Sequence, residues 1–142
     1  LNLISQTAEY ALRAIVCLAG NSGKSLTSQE IAEMAHVPAG YMSKVLQALG
    51  RAGLVLSQRG LNGGFSLTRP SADMTVLDVV NAVDPIKRIH TCPLGLKQHG
   101  EKLCPLHRQL DEAAAQIETS FRETNIADLL VSDSGITPLC ET

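Results

Sequence analysis

Residues 27–69, TSQEIAEMAHVPAGYMSKVLQALGRAGLVLSQRGLNGGFSLTR, constrain the fold most, because two helical patterns and a hairpin pattern follow one another with almost no chain between them. Thr27 and Glu30 have the spacing of a capping box, in which each side chain satisfies the other residue's free backbone N–H. Ile31, Met34 and Ala35 then supply the apolar stripe of a short helix, and His36 and Val37 end it. Pro38 suits the first turn of a second helix. After it Met42, Val45, Leu46 and Leu49 repeat at i, i+3, i+4, i+7, which leaves Ala39, Gly40, Tyr41, Ser43 and Lys44 at or near the outer face. Gly53 stops that helix. LVLSQRGLNGGFSLTRP is two short alternating runs around a glycine-rich turn, the pattern of a β-hairpin.

Helix, tight turn, helix and hairpin in this order make a winged helix-turn-helix. The flanks extend it. Tyr10, Ala11, Ala14, Ile15 and Leu18 recur at helical spacing over Thr7 to Ala19, and Val76, Val79, Val80 and Val83 mark a compact helix closed by Pro85. Leu106, Leu110, Ala113, Ile117 and Phe121 step by fours and threes along a long helix with polar remaining faces. NIADLL reads as a last short helix. With 142 residues and 44% hydrophobic content, the chain can bury one real core. The expected class is mainly α with a small β-hairpin wing: a winged helix-turn-helix domain plus a long dimerisation helix. The expected divisions are a DNA-binding domain over 1–84, a Cys/His loop over 85–107, the dimerisation and final helices over 108–131, and a flexible tail over 132–142. A single exposed amphipathic helix is most easily satisfied against a symmetry mate, so a homodimer on a roughly palindromic operator is expected. The alternative is that the stripe packs back on its own domain.

The net charge of −2 conceals an uneven distribution. Between Met34 and Ala72 there is no acidic residue, while Lys44, Arg51, Arg59 and Arg69 give +4; the rest of the chain sums to −6. An acid-free basic segment within an acidic protein is the footprint of a surface that meets phosphate. The second helix of the pair can then lie in a major groove and the hairpin tip, Arg59 to Gly64, beside the adjoining minor groove. The expected double-stranded DNA contacts are Ser28, Pro38, Ala39, Gly40, Tyr41, Ser43, Lys44 and Arg51, with Arg59, Gly60 and Asn62 on the wing. Each has a plainer reading: Tyr41 could cover the core edge, and Arg59 could be a solvated hairpin charge. The ordered combination favours DNA.

No apolar run approaches the roughly 18 residues of a membrane span, and no charged-then-apolar leader is present, so neither a membrane nor secretion is indicated and the cytoplasm is expected. An enzyme is not expected either. There is no nucleotide-binding glycine motif after a strand, no supported Ser/His/Asp order and no CxxC pair. RGLNGG lacks the following Lys and Ser or Thr of a phosphate loop. A redox or protein-interaction module that does not bind DNA is the competing class.

Four cysteines, Cys17, Cys92, Cys104 and Cys140, are too widely spaced for a disulfide scaffold and point to free thiols or ligands. Cys17 lies on the apolar side of the first helix, as a core thiol would, and Cys140 in the tail. In CPLGLKQHGEKLCPLH, residues 92–107, two cysteines and two histidines sit in a Gly- and Pro-punctuated loop, where their lone pairs are free to converge. The spacing of Cys92, His99, Cys104 and His107 matches no compact zinc-finger rule. Three readings stand: an iron–sulfur cluster, a zinc site or Cys92–Cys104 thiol switch, or a loop without a ligand.

The opening SQTAEYALRAIVCLA, the 26–70 block and the cysteine loop before a long helix together resemble the bacterial winged-helix transcriptional regulators of the IscR/NsrR/CymR family. The resemblance covers nearly the whole chain. RGLNGGF, its most specific part, is close to the family's wing pattern of Arg-Gly, a variable pair, Gly-Gly and an aromatic. It implies a homodimeric DNA-binding regulator, taken as a repressor, with Tyr41, Ser43, Lys44, Arg59 and Gly60 at the operator. Cluster-binding members use three loop cysteines, with a fourth ligand from a nearby histidine or from an acidic residue on the partner's first helix. Cys92 and Cys104 match the outer two cysteines, His107 the histidine and Glu9 the acidic residue. The middle cysteine is missing, and Gln98 and His99 stand in its region. Two cysteines with nitrogen or oxygen ligands suit a 2Fe–2S centre better than 4Fe–4S. Oxidation, loss or nitrosylation of such a cluster would then change the spacing of the two recognition helices. The alternative within the family is a regulator without a cluster, using a thiol switch, zinc or a small-molecule effector.

Overall fold

A run of alanines in the first helix lets four other helices come close to it. In this computed structural model, which describes residues 3–91, 93–96 and 102–130, α1 spans Gln6–Gly20. Ala8, Ala11, Ala14 and Ile15 have no exposed surface. Their short side chains admit α2 (Ser28–Ala35), α3 (Ala39–Arg51), α4 (Val76–Val83) and α6 (Ile126–Leu130), all of which pack on α1. Ser5 caps α1, its hydroxyl accepting from the Ala8 N–H at 3.1 Å.

The helix pair forms as its sequence predicts. The Glu30 N–H donates to the Thr27 hydroxyl at 3.1 Å, and the Thr27 N–H donates to Glu30 Oε1 at 3.2 Å. His36 ends α2 in the left-handed region at φ 54°, which lets the Val37 N–H reach back to the Ala32 carbonyl at 2.9 Å. Val37, 5% exposed, plugs the turn. Pro38 stands one position earlier than expected, as the cap residue of α3. Its ring fixes φ, and its carbonyl accepts the first helical bond, from the Met42 N–H at 3.0 Å. Met42, Val45, Leu46 and Leu49 are buried, as the period requires.

β1 (Val55–Gln58) and β2 (Gly64–Leu67) pair antiparallel, from Val55 opposite Leu67 to Gln58 opposite Gly64. A third element joins them: Leu26 bridges to Phe65 through reciprocal bonds of 3.0 and 2.7 Å, tying the wing to the residue just before the α2 cap. At the base, the Thr68 hydroxyl donates to the Gly53 carbonyl at 2.7 Å. After a 3-10 turn at Ser71–Asp73, a Thr75/Asp78 capping box starts α4. Asp84 leaves the helical region before Pro85, as a residue preceding proline tends to do.

The last element returns to the core. The Val76 N–H donates to the Thr124 carbonyl at 2.9 Å, and the Ile126 N–H to the Met74 carbonyl at 2.8 Å. Met74 and Ile126 are both fully buried. Burying an isoleucine is worth about 1.5–3 kcal/mol, enough to anchor so short a helix. Between α4 and α6 runs α5 (Pro105–Glu123), 19 residues of which none is buried. Leu106 and Leu110 are 64% and 50% exposed, and Phe121 near its far end packs against the core. The apolar stripe read from the sequence is present and largely uncovered in a single chain. No helix among the described residues is long and apolar enough to cross a membrane.

Candidate nucleic-acid interface and ligand loop

The helix-turn-helix presents its polar residues on one side. Pro38, Ala39, Gly40, Tyr41, Ser43 and Lys44 are exposed, and Arg51 lies exposed two turns beyond Lys44. Pro38, Gly40, Tyr41 and Lys44 line a shallow depression of about 310 Å3. Ser28, the first residue of α2, lies with its hydroxyl 3.2 Å from that of Ser43, so the start of α2 and the outer face of α3 form one surface. Arg59, Gly60 and Asn62 are exposed at the wing tip. Lys44, Arg51 and Arg59 pair with no carboxylate among the described residues. Arg69 differs: it meets Asp78 at 3.1 Å, so the fourth cation of the basic segment is partly neutralised at the wing's base.

Tyr41 is 58% exposed and still held in place, its ring meeting that of Tyr10 edge-on with centroids 6.1 Å apart at 68°. Tyr10 is fixed in turn. Gln6 Nε2 donates to its hydroxyl at 2.8 Å, and the Arg13 guanidinium lies 5.3 Å from its ring centroid. Arg13 also donates to the Ala35 carbonyl at 3.2 Å and meets Glu9 at 3.5 Å. The sequence reading missed this scaffold, whose signal was Glu9, Tyr10 and Arg13 clustered within one turn of α1. Tyr41 thus packs its ring edge on Tyr10 while more than half of its surface stays exposed.

In the candidate ligand loop, Cys104 caps α5 and its Sγ lies 3.4 Å from Nδ1 of His107, one turn on. The Cys104 thiol is free and partly exposed. Glu9 is half-exposed on α1. Cys92 and His99 lie outside the described residues, as does Cys140. No three metal-binding side chains converge among the described residues. Cys17 occupies the core at 1% exposure, as expected, but is disulfide-bonded rather than a free thiol.

Below the loop, Arg88 Nε and Nη2 donate to the two oxygens of Asp111 at 2.7 and 2.9 Å, and Nη1 donates to Glu118 Oε1 at 2.8 Å. The Ile89 N–H adds a bond to Asp111 Oδ1 at 2.8 Å. Hydrogen bonds from Arg88, then from Ile89, hold the Asp111 carboxyl well below the usual carboxylate range. The Arg88 guanidinium is held above its own ordinary value, first by Asp111 and then by Glu118. Sequence reading missed this cluster, although the basic KRIH run of the linker and the acidic face of α5 hinted at it.

Comparison with known proteins places the chain in a family. Residues 4–132 match the model of the Rrf2 family, described as iron-dependent transcriptional regulators. The chain is 30% identical over 131 residues to a protein of Aquifex aeolicus named as an HTH-type transcriptional regulator, covering 90% of this chain and 91% of that one. It is 32% identical over 137 residues to an rrf2-like regulator of Rhodobacter capsulatus, covering 93% and 87%. Its fold is similar to that of CymR, the global cysteine regulator of B. subtilis, with a TM-score of 0.73, 25% identity and coverage of 89% and 94%. It is also similar in fold to T. potens IscR, with a TM-score of 0.74, 23% identity and coverage of 89% and 85%. The winged helix, its basic face and these matches together make the chain a member of the Rrf2 family of DNA-binding transcriptional regulators, and not an enzyme.

Proposed function

We propose that the chain works as a homodimeric repressor in the cytoplasm, whose hold on a roughly palindromic operator follows the state of a cluster at the 85–107 loop. In this reading α3 enters the major groove with Tyr41, Ser43 and Lys44, and Arg51 and Ser28 meet phosphates. Pro38, Ala39 and Gly40 allow close approach, and Arg59, Gly60 and Asn62 take the minor groove. Residues 1–84 bind DNA, α5 pairs with its mate and α6 anchors the end of α5; the tail expected over 132–142 lies outside the described residues. The dimer is supported by a 19-residue helix with no buried residue of its own.

The observation that carries the sensing proposal is the Cys104–His107 pair, 3.4 Å apart where the loop meets α5. A thiolate and an imidazole fit an iron–sulfur centre of mixed ligation, of the 2Fe–2S type. Cys92, Cys104 and His107 would hold it, with Glu9 of the partner subunit or His99 completing the set. When bound, a cluster supplies a centre that oxidants, nitric oxide or iron loss can alter. Cys104 does the rest, because the residue that ligates is also the cap of α5, so its placement bears on the dimer helix. DNA affinity can shift only by the difference in effector affinity between two dimer geometries.

A second reading follows from the 25% identity to a global cysteine regulator: a loop with no cluster, responding through thiols, zinc or a small molecule. Anaerobic purification with a visible spectrum and iron and sulfide counts separates the two, on wild type, Cys92→Ala and Cys104→Ala. Broad charge-transfer bands lost in both variants support the cluster. A colourless, iron-free wild-type dimer supports the second reading.

A further inference from the structure

The apolar attachment of α5 to the winged domain is concentrated at Phe121, near its far end, while Leu106 and Leu110 stay exposed. None of its residues is buried, and Leu110 and Ile117 line, together with Ile4, Val80 and Ile86, an open groove of about 580 Å3. Apolar contact of this kind is non-directional and leaves a helix free to tilt.

The far end of α5 is held by the Val76–Thr124 and Ile126–Met74 backbone bonds, and the directional attachment along its length is Arg88. Three of its N–H groups reach α5, two to Asp111 at 2.7 and 2.9 Å and one to Glu118 at 2.8 Å, and the neighbouring Ile89 N–H adds a fourth bond at 2.8 Å. The two carboxylates are seven residues apart on one face, about two turns and roughly 10 Å along the axis. A planar fork that engages both fixes the helix lengthwise as well as at a point, which a single ion pair would not do. The linker residues around Arg88 belong to neither helix nor strand, so the clamp joins otherwise irregular chain to α5.

We propose that Arg88 is a positioning residue that sets the direction in which α5 leaves the winged domain, and with it the separation and rotation of the two recognition helices. The inference rests on the dimeric DNA-binding reading above. Changing half-site spacing by one base pair moves one half-site by about 3.4 Å and turns it by roughly 35° about the DNA axis. A dimer with a fixed α5 discriminates against that change, and one with a loosened α5 adapts to it.

The test uses the full chain. Duplexes enriched from a random library by wild type supply the operator, and versions with one base pair added or removed between half-sites are titrated against wild type, Arg88→Gln and Glu118→Gln. Wild type should lose about tenfold or more in affinity for misspaced duplexes, and Arg88→Gln should lose less than about threefold, with the dimer intact by sedimentation. Glu118→Gln, which keeps the Asp111 fork, should fall between them. An intact Arg88→Gln dimer with wild-type spacing preference overturns the inference. If Arg88→Gln dissociates or unfolds, Glu118→Gln decides: a shrunken spacing penalty upholds the inference and a wild-type penalty overturns it. Failure of wild type to enrich any duplex overturns the DNA reading itself and the inference with it.

Discussion

Replacing Gly64 by alanine tests how the wing is joined to the helix-turn-helix. Gly64 has φ +143°, and a Cβ there would lie 2.6 Å from the Leu26 carbonyl oxygen, 2.7 Å from its carbon and 3.1 Å from the Thr27 nitrogen. All three are backbone atoms, so no side chain can swing aside. Relief requires β2 to part from Leu26, which breaks the reciprocal Leu26–Phe65 bonds of 3.0 and 2.7 Å. Two such bonds contribute about 1 kcal/mol each, and an alanine at this positive φ adds about 1–3 kcal/mol of strain. Gly64→Ala should therefore cost about 3–5 kcal/mol and lower Tm by roughly 10 °C or more. Gly60→Ala is the control: φ is +108° but nothing lies within 4 Å of its Cβ, so only strain of about 1–3 kcal/mol applies. Urea unfolding of both variants, with duplex titration alongside, gives the comparison. Because Thr27 caps α2, the Gly64 variant should also lose DNA affinity relative to wild type. Equal destabilisation of the two variants would refute the claim that contact with Leu26 holds the wing.

Arg59→Glu should weaken operator binding by about tenfold or more and flatten its salt dependence by about one phosphate contact, while sedimentation still shows the dimer. Unchanged affinity would remove the wing tip from the interface. Asp111, whose folded pKa is depressed, contributes stability that is fully present above its unfolded value near 3.9 and is lost as pH falls toward the folded value. The stability gap between wild type and Asp111→Asn, followed by urea unfolding, should hold constant from about pH 5 to 8 and shrink below about pH 4. A gap that closes near neutrality would contradict the clamp.

The helices and wing were legible because their signals are local. Thr27 with Glu30, the Met42–Leu49 stripe and the glycines of RGLNGGF each act within a few residues, so spacing alone places them. Pro38 slipped by one position because cap and first-turn roles both exploit its fixed φ. What stayed hidden depends on contacts between distant residues. Leu26 pairing with Phe65, Arg69 meeting Asp78, Arg88 reaching Asp111 and Glu118, and the return of Ile126 to Met74 all join segments that no period connects. Tyr41 lies between these cases: its exposure follows from helical period, but its hold on Tyr10 does not. Half of the proposed loop ligands, Cys92 and His99, lie outside the described residues, and the other two, Cys104 and His107, lie 3.4 Å apart.

The central claim is that the state of the Cys104/His107 loop sets the grip of the dimer on DNA. Its most direct test is operator affinity measured on one anaerobic preparation before and after iron removal, at fixed salt. A change of about tenfold or more, absent in Cys104→Ala, is the predicted result. Equal affinity of iron-loaded and iron-free dimers would contradict it.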